Sequence, residues 1–203
     1  MLVVLISGRG SNMQALVEAG LPVAAVISNR ADAGGLEFAR ARKIPTAVVD
    51  HARFASREAF DEALAREIDR HRPRLVALAG FMRVLTPEFV ARYHNRLMNI
   101  HPSLLPAFPG LDTHARALAA GVKLHGCTVH FVTAQLDSGP IVIQAALGVR
   151  PGEQPAELAA RVLRQEHVIY PRAARWFLED RLVIRDAVVR VKGDDAQLVL
   201  AAD

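Results

Sequence analysis

The chain has 203 residues, of which 51% are apolar and 23% charged, with a formal net charge of +4 and a single cysteine. That length suits one domain with a sizeable core, and the composition excludes a disordered or low-complexity chain. One cysteine excludes an internal disulfide and a cysteine-rich metal cage, and no run approaches the roughly 20 apolar residues of a membrane helix.

The first run, "LVVLIS", is apolar and β-branched throughout, as in a strand buried on both faces. It lacks a preceding basic segment and is too short for a signal sequence, which predicts a cytoplasmic protein. "SNMQALVEAG" places Met13, Leu16 and Val17 at helical spacing and closes at Gly20. "PVAAVISN" predicts a second buried strand, "GGLEFARARK" a short helix and "TAVVD" a third strand. Ser56 is the expected cap of the helix "REAFDEALAREIDRHR", whose Phe60, Leu64 and Ile68 form its apolar stripe. Its arginines alternate with acids, the pattern of a solvated face. No basic block, RNA-binding aromatic set or zinc-finger spacing is present, so no nucleic-acid partner is expected.

"RLVALAGF" predicts a fourth strand, "PEFVARY" a short helix with proline in its first turn, and "RLMNI" a fifth strand. Alternation of this length predicts a parallel sheet with helices on both faces. After the helix "DTHARALAAG", the grammar changes. "KLHGCTVHFV" and "GPIVIQAALGV" read as strands free to pair antiparallel across "TAQLDS". "QPAELAARVLRQEHVIYPRAARWFLED" is a long helical pattern interrupted by Pro171, and the tail carries short strands around turns. The fold class expected is therefore α/β: one domain over residues 1–203, doubly wound and mostly parallel, with an antiparallel C-terminal part.

Two stretches carry chemistry. In "SGRGSN", glycines allow close approach of the backbone, and the N–H groups at a helix N-terminus attract an anion. Met13 stands where a dinucleotide fingerprint needs its third glycine. Asn29, not an acid, ends the second strand, and no Gly-Lys-Ser/Thr is present. A phosphate on a smaller molecule is the functional reading, and a tight turn capped by Ser11 the structural one. In "MNIHPSLLPAFPG", Asn99 and His101 lie two apart at a strand end and so share a face. Three prolines stiffen the loop behind them. A histidine that can exchange protons and an amide that can donate to an oxyanion suit acyl or formyl transfer. A third group is needed to orient the ring. Asp137 in "LDSGP" is the candidate, because a nearby carboxylate stabilises an imidazolium. Each residue alone also has an ordinary structural reading, and periodicity cannot place Asp137 beside His101. No serine-nucleophile elbow and no His-Glu-x-x-His occur. His125, Cys127 and His130 look metal-like, but strand alternation sends His130 to the opposite face, so no metal is expected.

"VVLISGRGSNMQAL", "LAGFMRVL", "NIHPSLLPAFPG", "HGCTVHFV", "LDSGPI" and "QEHVIYP", in this order, closely resemble the folate-dependent phosphoribosylglycinamide formyltransferase family of purine biosynthesis, within the wider formyl-folate hydrolase and transferase group. The likeness runs from Leu2 to about Leu182. It implies an Asn–His–Asp constellation at Asn99, His101 and Asp137, and formyl transfer from 10-formyltetrahydrofolate, a co-substrate, to the amine of glycinamide ribonucleotide. It also implies phosphate binding by Gly10, Ser11 and Asn12, and a contact from Glu166 to the glycinamide or ribose end. Met82, Arg83, Val84 and Leu85 would read the pterin edge through their backbone, with Asn99 beside the folate and Arg57 near its anionic tail. The alternative for "FMRVL" is a strand-end packing cluster. Arg9 and Asp112 depart from the family's common asparagine and histidine. Expected partners are these small molecules, with no membrane and a monomeric or homodimeric state. The alternatives are a formyltetrahydrofolate deformylase, expected to carry an added N-terminal module, a methionyl-tRNA formyltransferase, expected to carry a C-terminal RNA-binding domain, and a catalytically silent nucleotide-binding module.

Overall fold

The computed structural model describes residues 1–201. They form two compact units, 1–99 and 100–201.

The first unit contains β1 (Leu2–Ile6), α1 (Ser11–Glu18), β2 (Val23–Ser28), α2 (Gly35–Ala41), β3 (Thr46–Val48), α3 (Arg57–Arg70), β4 (Leu75–Leu78), α4 (Pro87–Arg92) and β5 (Leu97–His101), the last of which runs into the second unit. All its strand pairs are parallel, in the order β3-β2-β1-β4-β5. All five residues of β1 are buried, as its unbroken apolar run requires of a central strand covered on both faces. Right-handed crossovers put the β1–β2 and β2–β3 helices on one face and the later pair on the other. Accordingly α1 packs beside α2, and α3 beside α4. The chain reverses direction across the sheet between β1 and β4, so the loops after these two strands flank the topological switch point. Ser56 caps α3 as expected, accepting from the Ala59 amide. Ser11 does not cap α1. It is the first helical residue, and the cap position belongs to Gly10 at φ 69°, a left-handed conformation natural to glycine.

The second unit contains α5 (Thr113–Ala119), β6 (Leu124–Phe131), β7 (Ile141–Gly148), α6 (Pro155–Leu178), β8 (Leu182–Arg185), β9 (Val188–Val191) and β10 (Leu198–Leu200). β6 and β7 pair antiparallel, β10 lies parallel to β7, and β8–β9 is a separate hairpin. The mostly parallel α/β sheet with an antiparallel C-terminal part is thus observed. Cys127 is wholly buried on β6, and burial pushes its thiol far above the usual range, so it is an inert core residue. One expectation needs correction. Pro171 does not interrupt α6, which runs through it as a single element of 24 residues. The missing amide and ring clash cost about 3 kcal/mol. Burial of Ile169, Tyr170, Ala173, Ala174 and Trp176 around the proline offsets that cost. No helix among the described residues is long and apolar enough to cross a membrane.

Candidate active site

The glycine loop follows β1 and is braced from α2. The Gly35 amide donates to the Gly8 carbonyl at 3.1 Å. A Cβ on Gly35 would lie 2.6 Å from Ile6 Cδ1 and 3.1 Å from the Arg9 carbonyl. Gly35 is therefore what lets the loop sit close to the second helix. Ser11 and Asn12 begin α1, Asn12 is buried, and Arg9 is exposed. The loop after β4 has no regular structure, and its Met82 and Val84 side chains are 63% and 62% exposed. Such exposure argues against a simple packing cluster. Arg57, the first residue of α3, is also exposed.

Asn99 and His101 occupy alternate positions near the end of β5. In the second unit His101 is buried, and its Nδ1 lies 3.4 Å from Asp137 Oδ2. On the other side, Nε2–H donates to the Phe108 carbonyl at 3.0 Å. Both ring nitrogens thus face acceptors. Asp137 sits in the β6–β7 loop at φ 49°, which an aspartate tolerates better than most residues. Its Oδ2 also accepts from the Gly110 amide at 2.8 Å, and its side chain is only 8% exposed.

Three anchors were not legible in the sequence. Thr128 Oγ1 donates to the Ser103 carbonyl at 2.6 Å and accepts from the Leu105 amide at 3.0 Å. Gln144 Nε2 donates to the Leu105 carbonyl and to Thr128 Oγ1, both at 2.9 Å. Hydrogen bonds to the β6–β7 pair therefore hold the proline loop, in addition to the prolines themselves. The third anchor is His130, whose Nε2 stands 3.9 Å from Asp137 Oδ1. Its Nδ1–H donates to the Phe131 carbonyl at 2.9 Å, and burial holds its pKa below the ordinary histidine range, so it is neutral at pH 7. A register shift in the β6–β7 pairing between Val129 and His130 marks the place. No sequence signal announces such a bulge. Glu166 is buried on α6. Asp112 holds the cap position of α5 at φ 55° but makes no side-chain cap.

Beside this pair, His114 Nδ1 and His125 Nε2 meet at 3.2 Å. Burial first, and His114 second, push His125 down to about 4 from its ordinary 6.5. The unfolded chain therefore binds more protons than the folded one between those values. Its contribution to stability is full above about pH 6.5 and is lost as pH falls through about 4. Urea titrations across this window should show a falling midpoint in the natural protein and a shallower fall in His125→Gln. Equal slopes would contradict the assignment. Among the described residues no group of three or more His, Cys, Asp or Glu is placed to hold a metal ion.

The sequence pattern of the family described as formyl transferase matches residues 1–174. The chain belongs to the formyl transferase family. Among formyl transferase relatives, the phosphoribosylglycinamide formyltransferase of Escherichia coli (strain K12) is 49% identical over 198 residues, covering 95% of this chain and 93% of the relative. The solved phosphoribosylglycinamide formyltransferase of Coxiella burnetii matches with a TM-score of 0.91 at 48% identity, over 95% of this chain and 93% of that one. A formyltetrahydrofolate deformylase from Pseudomonas syringae shares the formyl transferase fold at TM-score 0.85, but at 29% identity and over 65% of its own length.

Proposed function

We propose that this chain is a single catalytic domain, working in the cytoplasm, that transfers the formyl group of 10-formyltetrahydrofolate to the primary amine of 5-phosphoribosylglycinamide. The observation that carries this reading is the buried His101–Asp137 pair in a formyl transferase chain, its imidazole facing acceptors at both nitrogens. High identity to named phosphoribosylglycinamide formyltransferases supports this acceptor over water.

The chemistry follows from the groups. The amine nitrogen attacks the formyl carbon, a new C–N bond forms, and the formyl oxygen becomes an oxyanion. The His101 Nε2–H, now given to the Phe108 carbonyl, would go to that oxygen instead, with the Asn99 amide as a second donor. Asp137 keeps the imidazolium oriented and charged through Nδ1. The attacking amine then loses one proton, and N10 of the folate gains one as its bond to the formyl carbon breaks. Tetrahydrofolate and the N-formyl product leave. Gly10, Ser11 and Asn12 would hold the phosphate at the start of α1, Glu166 the glycinamide or ribose end, and Arg57 the anionic folate tail. The backbone of Met82–Leu85 would read the pterin, with Asn99 at the folate's reactive end.

The deciding assay incubates the protein with 10-formyltetrahydrofolate, with and without the ribonucleotide, and follows the folate absorbance. Tetrahydrofolate formed only with the ribonucleotide is the expected result. Product in its absence would identify a deformylase. No product from folded protein would identify a catalytically silent module.

A further inference from the structure

The switch-point cleft of the first unit, about 280 Å³, is lined by Ser7, Asn29, His51 and Met82. The chemistry above leaves Ser7, Asn29 and His51 without a role. Ser7 follows the last residue of β1 and is almost fully buried. Its hydroxyl donates to Asn29 Oδ1 at 2.6 Å and accepts from the Met82 amide at 2.8 Å. Its own amide donates to the Gly80 carbonyl at 3.2 Å. A single residue thus pins both ends of Gly80–Met82. Asn29 is 2% exposed and is fixed in turn. His51 Nδ1 lies 3.0 Å from its carbonyl, which can only accept, and 3.2 Å from its Nδ2, which can only donate, so the ring has a partner on Asn29 in either tautomer.

Beyond Met82, the amides of Arg83, Val84 and Leu85 donate to no other described residue. A segment with unspent amides and outward apolar side chains suits a flat heteroaromatic ring with a polar edge. It has no ladder of its own to keep it in place. The Ser7 bond is what supplies the order, and it uses up the Met82 amide, leaving the following amides for a ligand.

We propose that Ser7, oriented by Asn29, is a positioning residue for the formyl donor: it fixes the Met82 peptide and thereby the Arg83–Leu85 segment. Asn29, at the position where a dinucleotide site would carry its ribose acid, orients a hydroxyl instead. The inference rests on the reading that Met82–Leu85 bind folate.

The test is steady-state kinetics in each substrate for the natural protein, Ser7→Ala and Ser7→Thr, with calorimetric titration of tetrahydrofolate. Ser7→Ala should raise KM for 10-formyltetrahydrofolate and weaken tetrahydrofolate binding by about 3- to 10-fold, the worth of one hydrogen bond. KM for the ribonucleotide and kcat should stay as they were, and Ser7→Thr, which keeps the hydroxyl, should recover most of the loss. Unchanged donor KM and tetrahydrofolate affinity, or equal losses for both substrates in both variants, would overturn the proposal. If Ser7→Ala does not fold, Asn29→Ala frees the hydroxyl to rotate and should shift the same two quantities; no shift again overturns it. If the natural protein transfers no formyl group, the functional reading fails on its own. The tetrahydrofolate titrations then still decide this inference, unequal affinities supporting it and equal ones overturning it.

Discussion

Asp137→Asn is expected to lower kcat by about two to four orders of magnitude, the range for loss of a positioned acid–base partner, with little change in thermal stability. The substitution keeps the volume of a side chain that is 8% exposed and leaves an oxygen able to accept from the Gly110 amide. It removes the negative charge. The natural His101 ring gives Nε2–H to the Phe108 carbonyl and turns Nδ1 to a carboxylate, so both nitrogens can hold hydrogen. The Gly110 amide donates to the same oxygen that faces Nδ1, so an asparagine that keeps this bond offers Nδ1 a neutral acceptor and no charge to balance an imidazolium. A neutral imidazole stabilises an oxyanion less than an imidazolium does. The neutral His130 on the other side, at 3.9 Å, supplies no replacement charge. Steady-state turnover with both substrates saturating, alongside a melting curve, checks the expectation. A folded variant with nearly natural turnover would remove Asp137 from the mechanism.

Gly139→Ala should damage both stability and activity. A Cβ at this position would lie 1.8 Å from the Phe131 carbonyl oxygen, a backbone atom that no rotamer change can move aside. The β6–β7 loop would have to shift, and Asp137, two residues earlier, would shift with it. Overpacking against fixed backbone costs about 3 kcal/mol. For a chain of this size that is roughly 6–12 °C in Tm. Turnover should fall at temperatures where the variant is still folded, because the carboxylate no longer meets Nδ1 of His101. Gly34→Ala is the contrast. Gly34 has a helical backbone at φ −60°, and a Cβ there meets nothing within 4 Å, so it should melt near the natural protein. Thermal scans of both variants, with turnover measured below their transitions, give the comparison. Matching Tm values for the two would show that the hairpin loop is looser than its geometry.

The two substitutions divide what sequence and tertiary structure contribute. The unbroken apolar run of β1, the apolar stripe of α3 and the cap at Ser56 were legible because they report backbone periodicity and local hydrogen bonding. So was the placement of Asn99 and His101 at the end of a strand, since side chains alternate along it. Local rules failed where packing outweighed propensity, as at Pro171, which the buried face of α6 tolerates. At Gly10 a left-handed cap takes the place that the alternative reading of the loop gave to Ser11.

The rest depended on contacts between segments far apart in the chain. That Asp137 faces His101, that His130 stands at its second oxygen, and that Thr128 and Gln144 hold the proline loop all follow from the register of β6 on β7 and its shift at Val129. That Ser7 reaches the Met82 amide follows from β1 lying beside β4 at the switch point. The sequence by itself determined which residue types stand at the strand ends, because strand periodicity is a local property of the backbone. Only the tertiary structure decided which of them meet, because a hydrogen bond is set by ångström-scale distances that strand register and loop closure fix together.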